Sequence, residues 1–167
     1  GVTLSGVRLT LYPAQDPQAQ WRFSAQQITV DPEREQHTLR GLSRGERWIT
    51  ASGQPPKLDM TLNAQTLTID GQDNLSTQEA TLYTLADCSR FTLRGSPDTP
   101  VIITQAGGYS APRGSIESPL QRGNFRNIRA NFDFSAFEAE QDPGMEFHAA
   151  ARQRCVAGAL QPNKGAS

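Results

Sequence analysis

Histidine occurs only twice in the 167 residues, as His37 in a polar, turn-like stretch and His148 in "EFHAA". Neither stands in a pattern that makes a catalytic base, so both read as ordinary surface or strand residues. The motifs G-x-S-x-G, H-E-x-x-H, G-x-G-x-x-G and G-x-x-x-x-G-K-[ST] are absent. The serines of "GGYSAPRGSIES" lie in a Gly/Pro-rich stretch with no base nearby, which leaves nucleophilic catalysis nothing to build on. No catalytic residue, metal site or cofactor is expected.

An excess of either charge is also missing. Sixteen basic and seventeen acidic side chains, unclustered, give a net charge of −1, which lacks the electrostatic footprint of a nucleic-acid binder. No run of eighteen apolar residues occurs, and Gly1 to Tyr12 alternate instead of forming a charged-then-apolar leader. A soluble chain is expected, and any membrane anchor would lie upstream of Gly1. There are only two cysteines, Cys88 and Cys155, with no second Cys or His at zinc-ligand spacing from either. They either pair, which implies an oxidising compartment, or stand as two structural thiols.

What the chain does have is alternation and turns. At 167 residues, 36% of them apolar, it is one domain that buries about 70% of its unfolded surface, in thin layers with one wet face. Val7, Leu9 and Leu11 share a face while Arg8 and Thr10 point away, the period-2 pattern of a half-buried strand. The same reading covers Trp21 to Val30, Lys57 to Asp70, Glu79 to Leu85, Arg90 to Arg94, Val101 to Thr104, Phe125 to Phe134 and Met145 to Arg152. Turn clusters separate them, among them "DPEREQ", "SGQPP", "DGQDN", "RGSPDTP" and "QAGGYSAPRGS". The fold class is therefore all-β: a sandwich, jelly roll or open roll. One short helix, Phe134 to Gln141, is the most the pattern allows. Residues 1–156 read as a single domain and 157–167 as a frayed tail.

Two segments nearly repeat each other: "FSAQQITVD" at Phe23 to Asp31 and "LNAQTLTID" at Leu62 to Asp70. In the first, apolar parity passes from Trp21 and Phe23 to Ile28 and Val30. In the second it passes from Leu58, Met60 and Leu62 to Leu67 and Ile69. A period-2 strand changes its inward face only by a bulge or sharp bend, so the phrase marks two equivalent bent strands around one apolar interior. Ala25 and Ala64 are small enough to sit at the bend. Paired carboxylates such as Asp31 with Glu33 and Asp70 with Asp73 fall at strand ends, and "DGQDN" lacks the pattern of a calcium loop, so they read as turn formers. Trp21 and Phe23 belong on the inner face rather than on an exposed sugar-stacking platform. Trp48 is open to a position at a rim.

With "GVTLSGVRLTLY", W-R-F-S-A-Q-x-x-x-x-D at Trp21 to Asp31 and L-N-A-Q-x-x-x-x-D at Leu62 to Asp70, residues 1–95 resemble the OstA-like domains of the periplasmic lipopolysaccharide-transport proteins LptC and LptA. Residues 105–167 show no clear copy of the phrase, and the cysteines lie outside it. The resemblance implies a V-shaped open β-jelly roll of two bent antiparallel sheets in the periplasm or cell envelope, with no covalent chemistry. Its apolar trough would bind or hand on the acyl part of a lipid or glycolipid such as lipopolysaccharide, and its edge strands would join other β-jelly-roll envelope proteins. The expected trough lining is Leu9, Leu11, Trp21, Phe23, Ile28, Leu58, Met60, Leu62, Leu67, Ile69 and Leu82. The alternative is a structural or interaction module of the envelope with a filled interior, assembling through its edge strands.

Overall fold

The computed structural model describes residues 2–42, 44–132, 135–144, 146–147 and 153–162, and among them every regular element is a strand. In chain order these are β1 Val2–Leu11, β2 Ala19–Asp31, β3 Gln36–Arg40, β4 Arg44–Ile49, β5 Lys57–Asn63, β6 Thr66–Ile69, β7 Leu75–Thr77 and β8 Glu79–Thr84. There follow β9 Ser89–Arg94, β10 Val101–Thr104, β11 Gly108–Glu117, β12 Gln121–Ala130, β13 Phe137–Gln141, β14 Glu146–Phe147, β15 Gln153–Val156 and β16 Ala159–Pro162. The first fourteen form one antiparallel sheet; β15 and β16 form a separate hairpin. Within the sheet, neighbours run β10-β7-β6-β3-β2-β4-β5-β8-β9-β11, and a β10–β11 pairing closes these ten strands into a ring.

The ring has two halves. In one, residues 27–31 of β2 pair with β3, followed by β6, β7, β10 and residues 108–110 of β11. In the other, residues 19–24 of β2 pair with β4, followed by β5, β8, β9 and residues 113–117 of β11. The chain crosses between halves within β2 and β11, and at the junctions β3–β4, β5–β6, β7–β8 and β9–β10. Two separate sheets are thus replaced by one, because β2 and β11 run unbroken through the crossing and carry their hydrogen bonding from one half into the other.

The repeated phrase is the crossing. Phe23 and Ala25 are buried, Gln26 and Gln27 exposed, and Ile28 buried again; Leu62, Ala64, Gln65, Thr66 and Leu67 follow the same order. The first copy stays one strand, while the second breaks into β5 and β6 at Ala64-Gln65. Two further copies emerge, one of them correcting the expectation that residues 105–167 hold none. "YSAPRGSIE" at Tyr109 to Glu117 buries Tyr109, Ala111, Gly114 and Ile116 and exposes Arg113, with Pro112 half-buried. "LSTQEATLY" at Leu75 to Tyr83 buries Leu75, Thr77, Ala80 and Leu82 and exposes Gln78 and Glu79. In all four, a two-residue outward step switches the inward parity, as a bend around one core requires.

Other expectations change. Only residues 105–107 of "QAGGYSAPRGS" form a turn and the rest belongs to β11, because its glycines meet packing demands. Gly108 has φ +116°, and a Cβ there would lie 2.1 Å from the Ala130 carbonyl oxygen. The short helix over Phe134 to Gln141 is replaced by β13. The Asn131 N–H donates to the Ala136 carbonyl and the Asn131 Oδ1 accepts the Ala136 N–H, turning the chain back so that Phe137 packs on Phe125 at 5.4 Å between ring centroids. Phe134 itself lies outside the described residues. Of Met145 to Arg152, only Glu146–Phe147 is described as strand, while Met145, His148 and Arg152 lie outside the described residues. The stretch from Ala157 includes β16.

Gly114 occupies the place held by Ile28 and Leu67 in the first two copies of the phrase. A Cβ there would meet Ile128 Cδ1 at 2.6 Å and the Thr92 carbonyl oxygen at 2.8 Å, and the backbone atom cannot yield. Gly114→Val is expected to destabilise the protein by about 1–3 kcal/mol, read as a fall in the urea midpoint at unchanged slope.

Candidate functional site

Ten of the eleven residues expected to line a trough converge on one interior, and Leu58 lies outside that cluster. Trp21, Met60, Leu62, Leu67 and Leu82 are fully buried, and Phe23, Ile28 and Ile69 nearly so. Leu9, Leu11 and Leu58 are half-buried. The interior is occupied by the protein's own side chains: Trp21 stacks on Phe23 at 5.8 Å and meets Phe132 edge-on at 6.2 Å, and Phe91 leans on Tyr109 at 6.1 Å. Trp21 Nε1 donates to Gln105 Oε1 at 3.1 Å, joining β2 to the turn after β10 across the core. Burial pushes the Tyr109 phenol far up, with Asp87 adding to it, so this hydroxyl stays protonated.

Two places at β1 are open to other molecules. The first is β1, which among the described residues pairs with β2 alone, so no described strand covers its outer edge. Val2 and Leu4 are 61% and 49% exposed there. Natural sheets guard such edges with charge, proline or shortness, and β1 carries Arg8 as its one charged residue over ten. The far side of the sheet is guarded: β13 is five residues long and slips register against β12. Arg126 there is bound by Asp142 at 2.7 Å. The second place is a cleft of about 400 Å³ beside β1, where Leu9, Leu11, Val30 and Ile69 meet a rim containing Asp31, Glu35, Asp70 and Asp73. These acids close turns: Asp31 Oδ1 accepts the N–H groups of Glu33 and Arg34, and Asp70 Oδ1 those of Gln72 and Asn74. His37, half-buried on β3, also lines the cleft, and His148 lies outside the described residues.

A third cluster surrounds Arg47 on β4, buried although the sequence marks it only as a polar neighbour of Trp48. Its guanidinium donates to Asp59 at 2.6 Å and Asp16 at 2.8 Å and lies over the Phe132 ring at 4.3 Å. The half containing β4 and β5 thereby grips the β12–β13 turn. Trp48 is half-buried beneath the Arg22 guanidinium at 4.5 Å. Among the described residues no group of three or more His, Cys, Asp or Glu side chains is placed to hold a metal ion. No family model matches the chain, and no curated protein is significantly similar to it.

Cys88 and Cys155 form a disulfide that anchors the β15–β16 hairpin to the turn after β8. Tyr83 Oη donates to the Gly158 carbonyl at 2.8 Å beside it. Among the described residues the hairpin shares no ladder with the large sheet, so the disulfide is a covalent tie where strand pairing gives none. With Cys88→Ser and Cys155→Ser together, amide exchange over residues 153–162 is expected to rise at least about tenfold while the amides of Leu62 and Leu82 stay protected, measured by hydrogen exchange with mass detection.

Proposed function

We propose that this chain is a non-catalytic interaction module of an oxidising extracytoplasmic compartment, the periplasm or cell envelope, that joins another β-protein by strand addition at β1. The observation that carries the reading is the ten-residue edge of β1, unpaired among the described residues, with Val2 and Leu4 exposed. A filled interior supports it, since packed side chains serve a scaffold better than a wide trough. The disulfide supports the compartment, as such bonds persist where thiols are not kept reduced. In this reading the two halves fold as a V around the core, in the manner of the OstA-like domains, and the edge strand continues the sheet into a neighbour.

Placing charges on the edge tests the reading without touching the core. A photo-crosslinking residue at Thr3 is expected to form an adduct whose partner peptide belongs to a strand of an envelope β-protein. Val2→Lys with Leu4→Lys should reduce that adduct at least about tenfold, because inserted charge blocks edge pairing. Equal adducts from a control position on mid-sheet Thr92, or no effect of the lysines, would sink the proposal.

A second reading rests on the cleft beside β1: the apolar chain of an envelope lipid or glycolipid enters at Leu9, Leu11, Val30 and Ile69. About 400 Å³ lies within the range of small-ligand sites. Its carboxylate rim disfavours an anionic headgroup close by, so the acyl part and not the head would be held here. A fluorescent fatty-acyl probe is expected to bind and to be lost in Leu11→Asp or Val30→Asp. A protein that takes up none of a broad panel of envelope lipids excludes this role.

A further inference from the structure

A groove of about 1110 Å³ crosses the outside of the bend, away from β1 and the interior. Its floor is the two middle copies of the phrase, where β5 passes into β6 and β7 into β8. Leu42 from the β3–β4 junction lines it, as do Ser96, Pro97 and Pro100 from the β9–β10 junction. The floor presents amides and hydroxyls, among them Gln65, Thr66 and Gln78 at the outward steps of the phrase. Of the lining residues only Glu79 is charged, and it lies 3.7 Å from Arg94, although a fifth of the chain is charged.

The strand register extends this surface on both sides. In one half, Thr29, Thr38, Thr68 and Ser76 are direct neighbours across β2, β3, β6 and β7. In the other, Asn63, Thr81, Thr92 and Ser115 are direct neighbours across β5, β8, β9 and β11. The two rows come together at the groove, with Thr68 and Ser76 on one side and Asn63 and Thr81 on the other. Neighbouring strands lie about 4.8 Å apart, so each row offers hydroxyl or amide groups at a repeat near the length of a sugar ring.

We propose that this groove binds a neutral oligosaccharide chain. Anionic ligands find no basic residue among its lining side chains, and an acyl chain finds too little apolar wall. An extended peptide would need an unpaired strand edge, and the floor strands have neighbours on both sides. Backbone carbonyls at the breaks are taken internally: Gln65 accepts from the Gly41 N–H at 2.9 Å, Gln78 from the Gly95 N–H at 2.7 Å and Thr66 from the Thr77 hydroxyl at 2.7 Å. What remains is a field of side-chain donors and acceptors with the Pro97 and Pro100 rings beside it, which matches the hydroxyls and the C–H faces of pyranose rings.

Maltohexaose, cellohexaose, laminarihexaose and chitohexaose, titrated separately into isotopically labelled protein, test the assignment. At least one is expected to shift the side-chain amide resonances of Gln65 and Gln78 saturably. Gln65→Leu with Gln78→Leu, both exposed and so harmless to the core, should weaken that binding at least about tenfold through two lost hydrogen bonds, with the backbone spectrum retained. Val2→Lys with Leu4→Lys should leave it unchanged, which separates this site from the β1 edge. The assignment is overturned if none of the four sugars moves those resonances, if the double-leucine variant binds as tightly as the parent, or if an extended peptide or anionic vesicles move them instead.

Discussion

A sheet that folds around one core must keep apolar side chains inward on both sides of the fold, and period-2 alternation forbids this unless each crossing strand loses step once. That constraint shapes the whole protein. Each of the four phrases loses step by setting two successive residues outward between an inward Ala or Thr and the next inward residue. β12 does the same at Arg126 and Asn127, between buried Phe125 and Ile128, with Asn127 in the left-handed region at φ +52°. Asn is among the residues that tolerate this conformation best. Because crossings are made at the same level in neighbouring passes, the core stays continuous and the hydrogen-bonded ring can close.

The inward half of the constraint explains why the interior is full. With Trp21, Phe23, Leu62, Leu67 and Leu82 all brought to one side, each half-sheet supplies large side chains to the same narrow space. Trp21 carries a polar N–H into it, and Gln105 answers with its carbonyl oxygen while its amide donates to the Asp73 carbonyl at 2.9 Å. The Arg47 ion pairs sit at the margin of the same core. Removing one partner there would leave a buried charge, so these ion pairs fix how β5 and the β1–β2 loop sit against β4 more than they add to stability.

Much of this was legible from residues alone. Alternation at Leu9 and Leu11, the parity switch at Ala25 and Ala64 and the Asp-closed turns follow from side-chain period and turn chemistry, and the structure keeps them all. The two later copies were hidden because their inward positions are small: Gly114 and Ala80 stand where Ile28 and Leu67 stand, so no hydrophobic beat announces them. β11 was further masked by Gly108 and Pro112, which read as breakers until the Ala130 carbonyl is seen pressing on Gly108. β3, β4 and β7 are short and polar outside, and each needs, besides a hairpin neighbour, a second partner farther away in the chain. The β1 edge was visible as a strand, but no local pattern says that only one side of it is paired. The Cys88–Cys155 bond likewise depends on distant geometry, and spacing alone left it open.

Within the phrase, the outward pair is the part that architecture leaves free. Its members never enter the core, so packing selects their exposure but not their chemistry. They read Gln26-Gln27, Gln65-Thr66, Gln78-Glu79 and Pro112-Arg113. In the two middle copies the flanking junctions stand up as walls and the pair becomes the floor of a groove, so neutral hydrogen-bonding groups accumulate where a ligand could rest. In the last copy the pair lies beside the Arg94 and Arg126 ladder positions and turns to proline and arginine. One structural device therefore repeats around the bend while its exposed residues diverge with their surroundings.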